Sequence, residues 1–149
     1  EQLVYTDPAL ALNGTPPPGE TGSIIIVVAT DAPLLSHQLK RIARRASMGI
    51  ARNGSIAGNG SGDIFIAFST ANPAVSQAGP VMKVEMLPNE NMDPLFQATV
   101  EATEEAVINA MVAARDMSGD RGHLVKALPH AELREVLERY GRLEKAAEH

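Results

Sequence analysis

The chain has 149 residues, 44% of them hydrophobic and 21% charged, which is long enough for one domain with a real core. A formal net charge of −5 gives no reason to propose nucleic acid as a partner, and the basic cluster Lys40, Arg41, Arg44, Arg45 and Arg52 is offset by Asp and Glu elsewhere. Cysteine is absent, which excludes disulfides, thiolate chemistry and a Cys-based zinc site, and no stretch approaches the roughly 18 apolar residues of a membrane span.

With two Tyr, three Phe and no Trp, the core must be filled by aliphatic and alanine side chains. There is no initiator Met and no signal-like beginning, so Glu1 is expected to lie inside a longer gene product. Residues 1–22 read as a linker, because Asp7-Pro8, Asn13-Gly14 and the prolines at 16–18 all break regular structure.

Residues 23–31 form a strand whose run Ile24 to Ala29 has no polar alternation, which predicts burial on both faces. Asp31 and Pro33 end it, and Pro33 suits a helix start because its missing N–H costs nothing there. From Leu34 to Ala51, the residues Leu35, Leu39, Ile42, Ala43, Ala46 and Ile50 recur at helical spacing, with Lys40, Arg41, Arg44 and Arg45 on the other, solvated side.

Residues 52–62 are a dense turn region with two Asn-Gly pairs, Asn53-Gly54 and Asn59-Gly60. Ile64 to Thr70 reads as a second strand and Val81 to Leu87 as a third, each with period-two alternation. Asp93-Pro94 opens a long helix to about Met117, with Phe96, Val100, Thr103, Val107, Ala110 and Ala114 as its packed stripe. A last helix is expected over 130–142, with Leu133, Val136, Leu137 and Tyr140 inward. The order strand, helix, strand, strand, helix, helix gives a layered α/β domain.

Chemistry has two candidate locations. Gly22-Ser23 stands at the lip of the first strand, behind a loose Pro- and Gly-rich stretch, as expected where a precursor cuts itself to free an N-terminal serine. A serine hydroxyl needs a base. After cleavage its own α-amine, with a reference pKa of about 7.7–8.0, is neutral often enough to take the hydroxyl proton. Gly22 lets the backbone bend into the required geometry at low cost. From this pair alone, a serine that merely begins a buried strand after a loop is the favoured reading. The second location is Ser61 and Asp63, one hydroxyl and one carboxylate two residues apart at a strand entry, which point to the same side and could carry or orient a proton. A tight hairpin or bulge loop is the plain alternative. The glycines around them make no phosphate loop, since no helix pattern and no Lys follow. His37, His123, His130 and His149 lack metal-ligand spacing, and no metal or cofactor is called for.

Two long segments, residues 22–34 (GSIIIVVATDAPL) and 52–72 (RNGSIAGNGSGDIFIAFSTAN), closely resemble the self-processing family of L-aminopeptidase/D-amidase/D-esterase enzymes and β-peptidyl aminopeptidases. The helix opening at residues 34–40 and the later stretch 128–130 fit as well, so the similarity runs from about Gly22 to Gly141. The resemblance implies an αββα sandwich, similar in layering to N-terminal nucleophile (Ntn) hydrolases but differently connected. It implies cleavage between Gly22 and Ser23 into a larger α chain, with residues 1–22 as its tail, and a catalytic β chain of residues 23–149. The resulting αβ heterodimers assemble further into oligomers.

By match, Ser23 is the nucleophile, Ser61 a proton-relay or positioning group, and Asp63 the site carboxylate. The carboxylate is Glu in the β-peptidyl members, and the shorter Asp63 leans toward the L-aminopeptidase/D-esterase branch. An Asn and a Tyr near the oxyanion, and an acidic group for the substrate amine, are expected upstream of the chain. The implied activity is release of N-terminal residues from short peptides, amides or esters through an acyl-enzyme on Ser23. Two other readings are an acyl transferase of the ornithine acetyltransferase type, against which Ser in place of Thr speaks, and a non-catalytic module that binds a small ligand or partner through the glycine-rich turn.

Overall fold

The computed structural model describes residues 22–76, 79–122 and 124–143. The expected linker before Gly22, together with His123 and His149, lies outside the described residues. The chain divides into two compact units after Thr103.

The first unit is built on a β-α-β crossover. Strand β1 (Ile25–Thr30) is followed by helix α1 (Ser36–Arg52) and strand β2 (Ile64–Ser69), and the strands pair in parallel from Ile25 opposite Ile64 to Thr30 opposite Ser69. Branched and aromatic side chains suit the pleated surface, and a parallel pair needs a crossover of this length. Helix α1 covers one sheet face. Ile42, Ala46, Gly49 and Ile50 are its buried side, and Leu34, Ile42 and Met92 form the core, flanked by Val28, Ala67, Leu87 and Leu95.

Gln38, fully buried, was not legible as a core residue, and it fixes the start of α1. Its Oε1 accepts from the Leu35 N–H at 3.1 Å, while Nε2 donates to Leu87 O at 2.7 Å and Asn89 Oδ1 at 3.1 Å. Leu35, the N-cap, has no side-chain acceptor, so Gln38 supplies the reciprocal half of a capping box alone. Helix α2 (Asp93–Ala113) packs Val100 and Thr103 against the glycine of α1.

The second unit begins at Glu104 with the rest of α2. It continues through a two-residue-stranded hairpin, β3 (Met117–Ser118) with β4 (Leu124–Val125), into helix α3 (His130–Arg139). Asp116 closes the base of this hairpin by accepting from Lys126 Nζ at 2.7 Å and Ala127 N at 2.9 Å. The Lys126 ammonium first, then the Ala127 N–H, hold its carboxyl below the ordinary carboxylate range.

Four expectations need correction. The sheet is apolar on both faces but covered on one: Ile25, Val27, Ile64, Ile66 and Phe68 stand 45–66% exposed on the face away from α1. Residues 81–87 form no strand, because no neighbouring strand offers them a ladder among the described residues. They are held instead by Leu87 N on Pro33 O and by Asn72, whose carboxamide accepts from Glu85 N and donates to Glu85 O. Arg41 and Arg45 are not purely solvated, since both stack on Phe96, at 4.8 and 3.6 Å from the ring centroid. Helices α2 and α3 stop at Ala113 and Arg139, and Val136 and Tyr140 of the α3 region are exposed rather than inward.

A Cβ added at Gly49 would stand 2.5 Å from Thr103 Cβ and 2.7 Å from the Val100 carbonyl oxygen, so the two helices touch only because residue 49 has no side chain. Gly49→Ala is expected to destabilise the complete protein by about 1–3 kcal/mol, measured by urea unfolding. Gln38→Leu, which strands the Leu35 N–H and Leu87 carbonyl, is expected to cost about 1–3 kcal/mol in the same assay.

Candidate active site

The end of the β1–β2 ladder gathers every residue singled out for chemistry. Carried back from Ile25 opposite Ile64, the register sets Ile24 across from Asp63 and Ser23 across from Gly62. The backbone ladder continues only as far as Ile64 N on Ile24 O, at 2.9 Å. The Ile24 N–H then bonds the side chain of Asp63, Oδ1 at 3.1 Å. A carboxylate oxygen thus stands in for the strand carbonyl that would otherwise extend the ladder. Beyond it the Gly62 N–H donates to Ser23 Oγ at 3.0 Å.

The turn region that delivers these groups is shaped by local backbone chemistry. Asn53 ends α1 with its N–H on Ile50 O, and Gly54 follows at φ +95°, a left-handed conformation that favours glycine. Ser55 Oγ accepts the Ala57 N–H at 3.2 Å, and the Ser61 N–H closes a turn on Gly58 O at 2.9 Å.

Ser23 is exposed, and Ser61 and Asp63 are half-buried. Gly22, Ser23, Ser61 and Asp63 all line one cleft of about 190 Å3, with Ile50 and Ser55 completing its wall. A second cleft of about 260 Å3 shares Ile50, Ser55 and Asp63 and extends toward Ile56 and Phe65. A larger hollow, about 660 Å3, lies between α1 and α2 at Arg45, Phe96 and Val100, and it holds neither a nucleophile nor a general base.

The expected pairing is thus realised in part. Ser61 and Asp63 share the cleft with Ser23, yet among the described residues neither makes a hydrogen bond to its Oγ; that contact belongs to Gly62. Asp63 grips the peptide directly after the serine. His37 and His130 lie elsewhere, His130 Nε2 being 2.9 Å from Val112 O, and the described residues include no cluster suited to a metal ion. Proton transfer at Ser23 therefore has no imidazole partner among them. Gly62 and Ser55 were missed in the sequence. The signal for Gly62 was available, since a glycine at a strand entry marks close backbone approach.

The profile of peptidase family S58 matches residues 3–125. A β-peptidyl aminopeptidase from Sphingosinicella microcystinivorans is 52% identical over 139 residues, covering 93% of this chain and 35% of that protein. A second, from Sphingosinicella xenopeptidilytica, is 42% identical over 122 residues, covering 80% of this chain and 30% of that protein. The chain therefore spans about a third of the length of these relatives. Among solved structures, the L-aminopeptidase D-Ala-esterase/amidase of Ochrobactrum anthropi, a serine aminopeptidase with a variant of the Ntn hydrolase fold, superposes with a TM-score of 0.75. It is 56% identical, over 82% of this chain and 35% of that one. A Burkholderia β-aminopeptidase gives a TM-score of 0.73 at 44% identity, over 83% of this chain and 36% of that one. The α/β arrangement of strands and helices is that of the Ntn-type serine aminopeptidases, and the chain belongs to peptidase family S58.

Proposed function

We propose that the protein is a self-processing serine aminopeptidase, amidase or esterase with Ser23 as its N-terminal nucleophile. The observation that carries this reading is the exposed Ser23 hydroxyl, held at a strand end by a backbone N–H, in a cleft that also contains Ser61 and Asp63. In the first step Oγ attacks the Gly22 carbonyl carbon, the hydroxyl proton passes to the peptide nitrogen, and the C–N bond breaks to leave an ester. Water hydrolyses that ester. The products are a Gly22 carboxylate and a Ser23 with free amine and free hydroxyl.

Cleavage separates residues 1–22, the end of an α chain, from the catalytic β chain of residues 23–149. In turnover the new α-amine takes the hydroxyl proton as Oγ attacks the substrate carbonyl, and returns a proton to the leaving group. Ser61 relays or orients that proton. Asp63, through Ile24, keeps the serine in register.

The bare apolar sheet face supports a larger chain from the same precursor as partner. Ile25, Val27, Ile64, Ile66 and Phe68 make a continuous apolar surface of the sort that a second layer covers. By strand parity Ser23 lies at the end of this face, so a chain seated on it would also border the nucleophile. At about 190 Å3 the cleft is below the usual range for a ligand pocket, about 300–1,000 Å3, and it suits the acyl part of one small residue. The substrates are short peptides, amides or esters with a free amino end, and Asp63 favours the L-aminopeptidase/D-esterase branch. The αβ pairs assemble further. The acetyltransferase and binding-module readings find no support in the family match.

Intact mass of the purified complete protein is expected to reveal a fragment beginning at Ser23, while Ser23→Ala leaves one uncut, inactive species. A cut and active Ser23→Ala variant would end the proposal. Ser61→Ala is expected to slow cleavage and turnover by about 10²–10⁴-fold, the usual worth of a proton-transfer group. Asp63→Ala should lose more activity than Asp63→Asn, because the amide oxygen still accepts the Ile24 N–H; the reverse order would contradict the positioning role. Ile66→Asp in the complete precursor is expected to abolish stable association of the two chains in size-exclusion chromatography.

A further inference from the structure

We infer that Gly62 is a positioning residue for the nucleophile, acting both through its backbone N–H and through the side chain it lacks. The inference rests on the reading of Ser23 above. Oγ lies 3.0 Å from the Gly62 nitrogen, and a Cβ built on Gly62 would stand 3.1 Å from Oγ and 3.8 Å from Ser23 Cβ. The hydroxyl is thus seated directly over a residue that leaves it room. Gly62 has no positive φ, so its turn geometry alone does not demand glycine. A methyl there would instead press on the neighbouring hydroxyl and displace it by a few tenths of an ångström.

The direction of this hydrogen bond matters for the chemistry. A serine hydroxyl has one hydrogen and two acceptor lone pairs. The Gly62 N–H can only donate, so it occupies one lone pair and turns the hydroxyl hydrogen away from itself. Proton departure is thereby confined to the other side of Oγ. Negative charge grows on this oxygen as its proton is withdrawn ahead of attack, and again when it leaves the ester on hydrolysis. A hydrogen bond strengthens as its acceptor becomes charged, so a fixed N–H at Oγ favours both transition states.

Asp63 supports the same end of the strand pair. By accepting the Ile24 N–H with its side chain, it takes the place that the parallel register gives to the Gly62 carbonyl. The Gly62 N–H, which continued pairing would direct to the Gly22 carbonyl, donates to the Ser23 hydroxyl instead. Residues 62 and 63 thus divide the work, one holding the oxygen and the other holding the peptide behind it.

The test uses the complete precursor. Gly62→Ala is expected to slow self-cleavage, and kcat on an amino-acid anilide, by about 10- to 100-fold with KM little changed, as for a nucleophile displaced from its productive position while the N–H itself remains. Asn59→Ala, an exposed change in the same loop, should keep the parental rates. Residue-resolved amide exchange supplies a readout independent of activity. In Ser23→Ala the Gly62 amide should exchange faster than in the parent, while the Ile64 amide, bonded to Ile24 O, is unchanged. Parental kcat in Gly62→Ala, or equal Gly62 exchange with and without the Ser23 hydroxyl, would overturn the assignment. A parent that never cuts before Ser23 would instead overturn the reading of Ser23. The exchange comparison still decides on Gly62 in that case, as it does if Gly62→Ala fails to fold.

Discussion

The parallel pairing of β1 with β2 is the constraint on which the site depends. It brings residue 62 to residue 23 across 39 positions of sequence, with α1 as the connection. Shift the register by one residue and Ser23 would face a side chain instead of Gly62, while Asp63 would lose the Ile24 N–H. Register in such a pair is held by the burial of one face. The packing of Val28 and Ala67 under Leu34, Ile42 and Met92 therefore reaches as far as the position of a single hydroxyl.

The same core explains why the crossover helix begins where it does. Gln38 is buried with all of its hydrogen bonds made, so it specifies one docking of the helix start on the segment at 87–89 rather than a range of apolar contacts. At the other end of α1, the close approach of Gly49 to Thr103 brings α2 onto the helix without a spacer side chain. The turn that follows, through Asn53 and Gly54, launches the loop that returns as Ser61, Gly62 and Asp63. Helix placement and site geometry are thus one problem. The other sheet face carries no such constraint among the described residues, and its exposed Ile and Phe side chains are the physical argument for a covering layer.

Much of this was legible in the residues. Apolar runs mark both strands, helical spacing marks α1, and Ser23, Ser61 and Asp63 stand out by residue type and position at the strand entries. What could not be read is instructive. Gln38 looks polar and hence external, but burial follows from three partners, two of them contributed by the segment at 87–89. Residues 81–87 alternate like a strand, yet alternation describes a side-chain pattern and a strand needs a neighbour to pair with. The uninterrupted apolar run of β1 suggested cover on both sides, and the described residues supply one. Ser61 and Asp63 share the cleft with the serine, and the hydrogen bond to its Oγ comes from a main-chain N–H that no residue pattern displays.

The most direct test of the central claim is to trap the covalent intermediate. During turnover of an amino-acid ester, acid quenching followed by mass analysis should find the acyl group on Ser23, as the first residue of a separate chain. An acyl group on another residue, or on a chain still continuous through Gly22, would contradict the mechanism.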